Sequence, residues 1–323
     1  MPAIRRLVVF VMSLSLPLIA AGSGAGYAVA ASQAATDPLI ARGRYMVVTG
    51  QCNNCHTERY QQTAGRVPQS EWLTGRGVGH RGVWGTTYPS NLRQNVNRMS
   101  EGEWVRYAAT LKPRPGMPVW SVRDTSPADL AAMYRFIKSL RPSDTPSRLA
   151  LLPEVAPTTP FVRTILDTQS MSRLAPSDSA VVERSVAVEN PTLARGRYRL
   201  VTGQCNNCHT ANYALQKGRL PEAEWLKGGR IGNVGSWGTT YATNLRIKVA
   251  ALSEEQWVAY IQKLKAKPPM PWWGLRETDV QDLRAMYQFI KALGAPGEPA
   301  PVALPPGTRP APPYTEWPAL FSE

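Results

Sequence analysis

The pentapeptide Cys52-Asn53-Asn54-Cys55-His56 constrains this chain more than any other stretch, and it recurs letter for letter at Cys205-Asn206-Asn207-Cys208-His209. Two cysteines one helical turn apart can set both sulfurs along the edge of a flat ring, and the imidazole that follows can then reach a metal at its centre. This is the pattern of covalent c-type haem attachment: the thiols form thioethers with porphyrin vinyl groups and the histidine becomes the proximal iron ligand. Zinc is the first alternative, but it takes four ligands and each copy offers only two Cys and one His locally. A thioredoxin-like redox pair would not call for His in the next position twice. The chain has 4 cysteines and the two copies use them all, so a disulfide scaffold is not the organising principle.

The repeat extends well beyond the motif. A shift of 153 residues lays ARGRY (41–45) on 194–198, VTGQCNNCHT (48–57) on 201–210 and WGTTY (84–88) on 237–241, with no net insertion. One unit has been duplicated, which fits the two domains that 323 residues suggest. The formal charge is +14, and the excess is shared: residues 37–140 hold 14 Lys plus Arg against 7 Asp plus Glu, and residues 190–293 hold 15 against 7. A basic balance suits nucleic acid, an anionic membrane surface or an acidic protein partner. No basic, aromatic-interleaved or DNA-binding pattern accompanies it, so nucleic acid is the weakest of the three.

Residues 1–30 read as a secretory signal, with Arg5 and Arg6 before the apolar stretch Leu7 to Ala21 and an Ala28-Val29-Ala30 cleavage site. The apolar stretch is interrupted by Ser13, Ser15 and Pro17 and is short for a membrane span, so cleavage is expected rather than an anchor, with no transmembrane helix in the mature chain. Cleavage would place the mature protein in the bacterial periplasm.

Asp37-Pro38 predicts a helix start that runs to about Gln51, and Gly43 and Gly196 mark a face that crosses another helix closely. Ser100 with Glu103, and Ser253 with Gln256, form capping boxes. Ser126-Pro127 and Thr278 precede the closing helices DLAAMYRFIKSL and DLRAMYQFIKAL, whose apolar residues follow the helical period and which are the expected partners of the first helices. Between motif and capping box each unit is rich in Gly, Trp and Tyr and poor in apolar periodicity, as expected of loops that wrap a flat group.

A haem that carries electrons usually takes a second axial ligand, His or Met. Of 3 histidines two are in the motifs, and the third, His80, aligns with Asn233; its simplest reading is an exposed loop histidine, with a ligand role the alternative. Of 9 methionines, only Met117 with Met270 and Met133 with Met286 recur at the repeat offset. Met133 and Met286 lie among apolar helix residues, where core filling is the ordinary role. Met117 and Met270 sit in the stiff loops RPGMPVW and KPPMPWW and are the expected axial ligands, with packing as the alternative.

With CNNCH, the run G-T-T-Y-P-S-N-L at Gly85 to Leu92, the Trp-containing helix, Met-Pro and the closing D-L-A-A-M-Y helix, each unit resembles a class I cytochrome c domain. The arrangement is similar to the cytochrome c subunits of membrane-bound quinoprotein alcohol dehydrogenases, over residues 37–140 and 190–293. The resemblance implies an all-α fold of two tandem domains, each a few helices and loops around a covalent haem. It also implies that the carbonyl of a proline twelve residues past the haem histidine, here Pro68 and Pro221, accepts a hydrogen bond from the imidazole. Trp84, Tyr88, Asn91, Arg93, Trp237, Tyr241, Asn244 and Arg246 are candidates to line the pocket or hold propionates, with plain packing as the alternative for the aromatics.

The expected function is one-electron transfer by a periplasmic dihaem cytochrome c between a donor dehydrogenase and a downstream acceptor, docking on redox partners with acidic surfaces. The alternatives are a subunit held permanently in a dehydrogenase, or an oxidoreductase with one reactive haem. The repeat offset continues past the final helices, pairing Pro146 with Pro299, Pro153 with Pro306 and Phe161 with Tyr314. Residues 142–161 and 295–314 are therefore expected to be equivalent proline-rich straps against their own domains. Domain 1 would then span 37–161, a linker 162–189 and domain 2 190–314, before a tail over 315–323.

Overall fold

The computed structural model describes residues 37–75, 77–172 and 189–321. The expected signal segment lies outside these residues. In chain order the first unit comprises α1 (Pro38–Thr49), α2 (Cys52–His56), β1 (Gly79–Gly82), β2 (Gly85–Thr87), α3 (Leu92–Asn97), α4 (Glu101–Ala109), α5 (Val119–Arg123), α6 (Pro127–Ser139), β3 (Phe161–Ile165) and α7 (Thr168–Ser172). The second comprises α8 (Pro191–Thr202), α9 (Cys205–His209), β4 (Gly232–Gly235), β5 (Gly238–Thr240), α10 (Leu245–Ala250), α11 (Glu254–Lys263), α12 (Trp272–Arg276), α13 (Val280–Ala292) and β6 (Tyr314–Glu316).

Each unit is founded on the crossing of its first and last long helices. The Asp37 side chain accepts from Leu39 N at 2.8 Å and Pro38 sets the first helical φ, so α1 starts where the sequence places it. It ends at Thr49, short of Gln51, because Gln51 takes a left-handed φ of 63° that breaks the helix and opens the motif turn. At Gly43 a Cβ would lie 1.9 Å from Ala132 O on α6, and at Gly196 a Cβ would lie 2.0 Å from Ala285 O on α13. Only glycine lets the backbones approach that closely. Met46, Val47, Leu130, Phe136 and Ile137 are buried at one crossing, and Leu200, Leu283, Phe289 and Ile290 at the other. Each such side chain contributes about 1.5–3 kcal/mol by leaving water. Both capping boxes form. The last helix of the second unit is capped by Asp279, not Thr278.

The all-α expectation is overturned. Among the described residues six strands form one mixed sheet in the order β2-β1-β3-β6-β4-β5, so the fold combines helices with a sheet. The hairpin strands read GHRG with GTT and GNVG with GTT, which carry no apolar alternation to announce them. They are completed by distant chain: β1 pairs in parallel with β3 and β4 in parallel with β6, while β3 and β6 pair antiparallel with each other.

The proline-rich segments reach this sheet along their own units. Leu151 exchanges backbone hydrogen bonds with Thr86, and Leu304 with Thr239. Asn91 Nδ2 donates to Thr145 O at 2.8 Å, and Asn244 Nδ2 to Pro296 O at 2.7 Å. The segment expected to be a linker from 162 begins inside β3, so part of it is sheet; residues 173–188 of it lie outside the described residues.

The two units meet through reciprocal polar contacts. Tyr198 Oη donates to Asp129 Oδ2 at 2.6 Å, and Tyr45 Oη donates to Asp282. Each aspartate also pairs with an arginine of its own unit, Arg42 with Asp129 and Arg195 with Asp282. Among the described residues no helix is long and apolar enough to cross a membrane.

Candidate functional site

The two CNNCH motifs form single-turn helices, each launched from a left-handed glutamine, Gln51 at φ 63° and Gln204 at φ 65°. That turn carries the chain off the end of the long helix and tucks the histidine inward. His56 and His209 are each 7% exposed. His56 Nδ1 lies 2.8 Å from Ser90 O, and His209 Nδ1 lies 2.8 Å from Thr243 O. A carbonyl can only accept, so Nδ1 carries the proton and Nε2 keeps its lone pair for a metal. Burial holds both imidazoles below the ordinary histidine range, against the opposing effect of that hydrogen bond. They are neutral, fixed donors, which is the state a metal ligand needs.

The carbonyl partners correct the expectation for Pro68 and Pro221. Pro68 O accepts from Glu71 N at 2.9 Å and Pro221 O from Glu224 N at 2.9 Å, opening a 3-10 turn in each unit. Ser90 and Thr243 take the orienting role through main-chain atoms. A backbone acceptor has no side-chain signature, which is why sequence reasoning missed it.

Cys52 and Cys205 are half-buried, and desolvation pushes their thiols up to about 12. Neither is suited to act as a thiolate nucleophile at neutral pH. Cys208 is exposed, and Cys55 lines a cleft of about 110 Å³ with His80, Arg59 and Phe321. Among the described residues no three His, Cys, Asp or Glu side chains gather as a metal cage. Each motif thus offers one imidazole beside a cysteine pair, and His80 shares the cleft of Cys55.

Met117 and Met270 occupy tight, half-buried turns. Met117 N donates to Arg114 O at 3.1 Å and Val119 N to Met117 O at 2.9 Å; in the second unit Met270 N reaches Lys267 O at 3.3 Å and Trp272 N reaches Met270 O at 2.9 Å. The hairpins anchor these turns. Thr87 Oγ1 donates to Pro115 O and Thr240 Oγ1 to Pro268 O, both at 2.8 Å. Met133 and Met286 are buried in the helical cores.

His80 is not an exposed loop residue. It lies on β1 between Thr87 and Val162, with its Cβ 2.8 Å from where a Cβ would stand on Gly116 beside Met117, and burial lowers its pKa to about 4.

Four of the pocket candidates are structural instead. The Arg93 guanidinium, buried, donates to Trp72 O at 2.7 Å, Ser70 O at 2.8 Å and Arg141 O at 3.0 Å. Arg246 does the same with Trp225 O at 2.8 Å, Ala223 O at 2.9 Å and Leu293 O at 2.7 Å. All five Arg246 donors go to carbonyls, which leaves none for a propionate, and four of the five on Arg93 do the same. Asn91 and Asn244 cap α3 and α10 and tie down the proline-rich segments. Tyr88 accepts from Thr159 Oγ1 at 3.2 Å under the first of these segments, and Tyr241 Oη lies by Gly232.

The tryptophans differ. Trp84 Nε1 makes a long bond of 3.4 Å to His80 O, whereas Trp237 Nε1 is buried without a hydrogen-bond partner among the described residues. The Trp237 ring packs under Gly235 on the hairpin, where its unmatched N–H is a donor still to be satisfied. With neutral imidazoles beside paired cysteines, the residues present fit covalent haem c: His56 and His209 are the imidazoles that would hold iron, and the turns at Met117 and Met270 offer thioethers as further candidate donors.

No family model matches the chain. The chain is similar to the gluconate 2-dehydrogenase cytochrome c subunit of Pantoea cypripedii, with 26% identity over 206 residues that cover 60% of this chain and 40% of that protein. It thus spans about two fifths of that relative's length. The likeness is to a cytochrome c subunit of a dehydrogenase, which supports electron transfer as the general role and covalent haem c as the cofactor.

Proposed function

We propose that this chain is a periplasmic dihaem cytochrome c that passes single electrons between a dehydrogenase and a downstream acceptor. The observation that carries the reading is the repeated imidazole arrangement, in which His56 Nδ1 meets Ser90 O and His209 Nδ1 meets Thr243 O at the same 2.8 Å. The same oriented, neutral imidazole beside the same cysteine pair in both units supports the same kind of bound group in each. When bound, haem supplies a one-electron couple at iron. The polypeptide holds the imidazole tautomer through Ser90 and Thr243, stiffens the methionine turns through Thr87 and Thr240, and excludes water with the helical core.

Thioether ligation from Met117 and Met270 would favour ferrous iron, and filling both axial positions would leave no place for a substrate. The second reading, a subunit held permanently in a dehydrogenase, is favoured by the likeness to a dehydrogenase cytochrome subunit.

The test is a pyridine haemochrome assay with intact-protein mass on chain exported from a host that attaches haem c. Two covalent haems per chain are expected, one in Cys52→Ser/Cys55→Ser and one in Cys205→Ser/Cys208→Ser. Fewer than two in the native chain, or haem removed by acidified organic solvent, would end the dihaem reading. Co-purification of a catalytic chain with the native protein would decide for the permanent subunit.

A further inference from the structure

The two attachment motifs are held against each other by contacts that neither unit could make alone. Trp120, three residues past Met117, donates from Nε1 to Asn207 Oδ1 at 2.8 Å, inside the second CNNCH. Trp273, three past Met270, donates to Asn54 Oδ1 at 3.0 Å, inside the first. Each indole packs on a glycine of the other unit: a Cβ on Gly218 would stand 2.8 Å from the Trp120 ring, and one on Gly65 would stand 3.0 Å from the Trp273 ring.

Between these crossed contacts the residues that precede the motifs touch. Gln204 Nε2 donates to Gly50 O at 2.7 Å, and Cys52 Sγ lies 3.9 Å from the same carbonyl. A Cβ on Gly203 would have Cys205 Sγ at 3.7 Å and Thr49 O of the other unit at 3.6 Å. One carbonyl oxygen thus separates the first attachment cysteine from the residue that precedes the other unit's first cysteine. Hydrogen bonds continue from Gln204 Oε1 through Asn207 to Trp120.

We propose that electrons cross directly between the two haem-attachment motifs along the Cys52–Gly50–Gln204–Cys205 seam, with Trp120, Trp273 and Gln204 as its positioning residues. The inference rests on the dihaem reading above. The step is a self-contained exchange: one iron goes from ferrous to ferric as the other goes from ferric to ferrous, with no bond broken, no proton moved and no co-reactant required. Contact through covalent and hydrogen-bonded atoms, in place of a solvent gap, makes the chain a two-electron reservoir whose sites equilibrate internally. A single electron delivered at either unit is then available at both.

The experiment is exchange NMR on the half-reduced protein, where the shifted methyl signals of each ferric haem report its own oxidation state. Haem content is measured first, and fewer than two haems counts against the dihaem reading rather than the seam. In the doubly loaded native protein, exchange between the two sites is expected at a rate independent of dilution. Trp120→Phe/Trp273→Phe keeps the rings and removes the donors, and Gln204→Leu removes the central bond. Each is expected to slow exchange severalfold at unchanged haem content and axial-ligand spectrum, because each removes hydrogen-bonded contact from the seam. Exchange that scales with protein concentration, or that keeps its native rate in both variants, would overturn the seam.

Discussion

Arg163 lies directly across the β3–β6 pair from Glu316, the residue 153 positions on that occupies its own place in the second repeat. Thr164 pairs with Thr315 and Ile165 with Tyr314, so the antiparallel ladder runs on from this pair. The same reciprocity runs through Tyr198 with Asp129 and Tyr45 with Asp282 on the helical side. The two units are thus related by an approximate two-fold.

Asp129 gives this joint an acid limit. Burial raises the Asp129 carboxyl, but the hydrogen bonds from Arg42 and Tyr198 outweigh it and the net shift is downward. A carboxyl depressed in the folded state contributes stability that is present above its unfolded value of about 3.9 and is lost as pH falls through the folded value. Thermal unfolding followed as a function of pH should therefore show the melting temperature falling below about pH 4. Asp129→Asn should flatten part of that fall while lowering stability at neutral pH; an unchanged acid limb would show that this pair does not set it.

Asn91 should be worth more than a surface asparagine. Its Oδ1 caps α3 by accepting from Gln94 N at 3.1 Å, while its Nδ2 holds Thr145 O. Asn91→Ala removes both and is expected to destabilise the protein by about 1–3 kcal/mol in urea unfolding. Amide exchange near Ser143 and Thr145 should accelerate at the same time, and exchange that stays native would detach the segment from this side chain.

Met117→Ala and Met270→Ala should each remove about half of the weak ferric charge-transfer band of Met-ligated haem and lower the potential of one haem. Optical spectra and a redox titration read both. A native spectrum in either variant would disqualify that methionine.

Electron transfer to an acidic partner should slow with salt, because the chain's formal +14 is screened beyond about 8 Å at physiological ionic strength. Stopped-flow rates across a salt series with the native partner are the measure. Rates indifferent to salt would favour a permanent or apolar dock.

Local signals were legible in the sequence wherever neighbouring residues cooperate. Asp37-Pro38, the two capping boxes and the glycines at the helix crossings all describe contacts set by short spacing or by the absence of a side chain. The sheet was not, because Gly79 is paired with Phe161 and Gly232 with Tyr314, and glycine-rich strands of three or four residues show no period. The orienting carbonyls of Ser90 and Thr243 escaped for a different reason: main-chain acceptors leave no letter in the sequence. Arg93 and Arg246 show the limit of residue type, because a buried guanidinium bonded to backbone carbonyls looks in the sequence like one waiting for an anion. Trp120 and Trp273 recur at the repeat offset beside the methionines, a signal that was visible but whose partners lie across the joint.

The approximate two-fold also says something about how such a chain could arise. A contact in which each side offers the same residues is one that a single unit can make with a second copy of itself. A one-unit ancestor carrying Trp, Asn, Tyr and Asp at these places already possessed a self-complementary face, and would have paired as a homodimer governed by its concentration. Joining two copies in one polypeptide replaced that dependence with a tether, and it released the halves from identity. Position 199 shows the freedom taken: where the first unit keeps Met46, the second has Arg199, whose guanidinium bonds Thr49 across the joint at 2.6 Å. Symmetric copies could not have made that exchange at one position without making it at both.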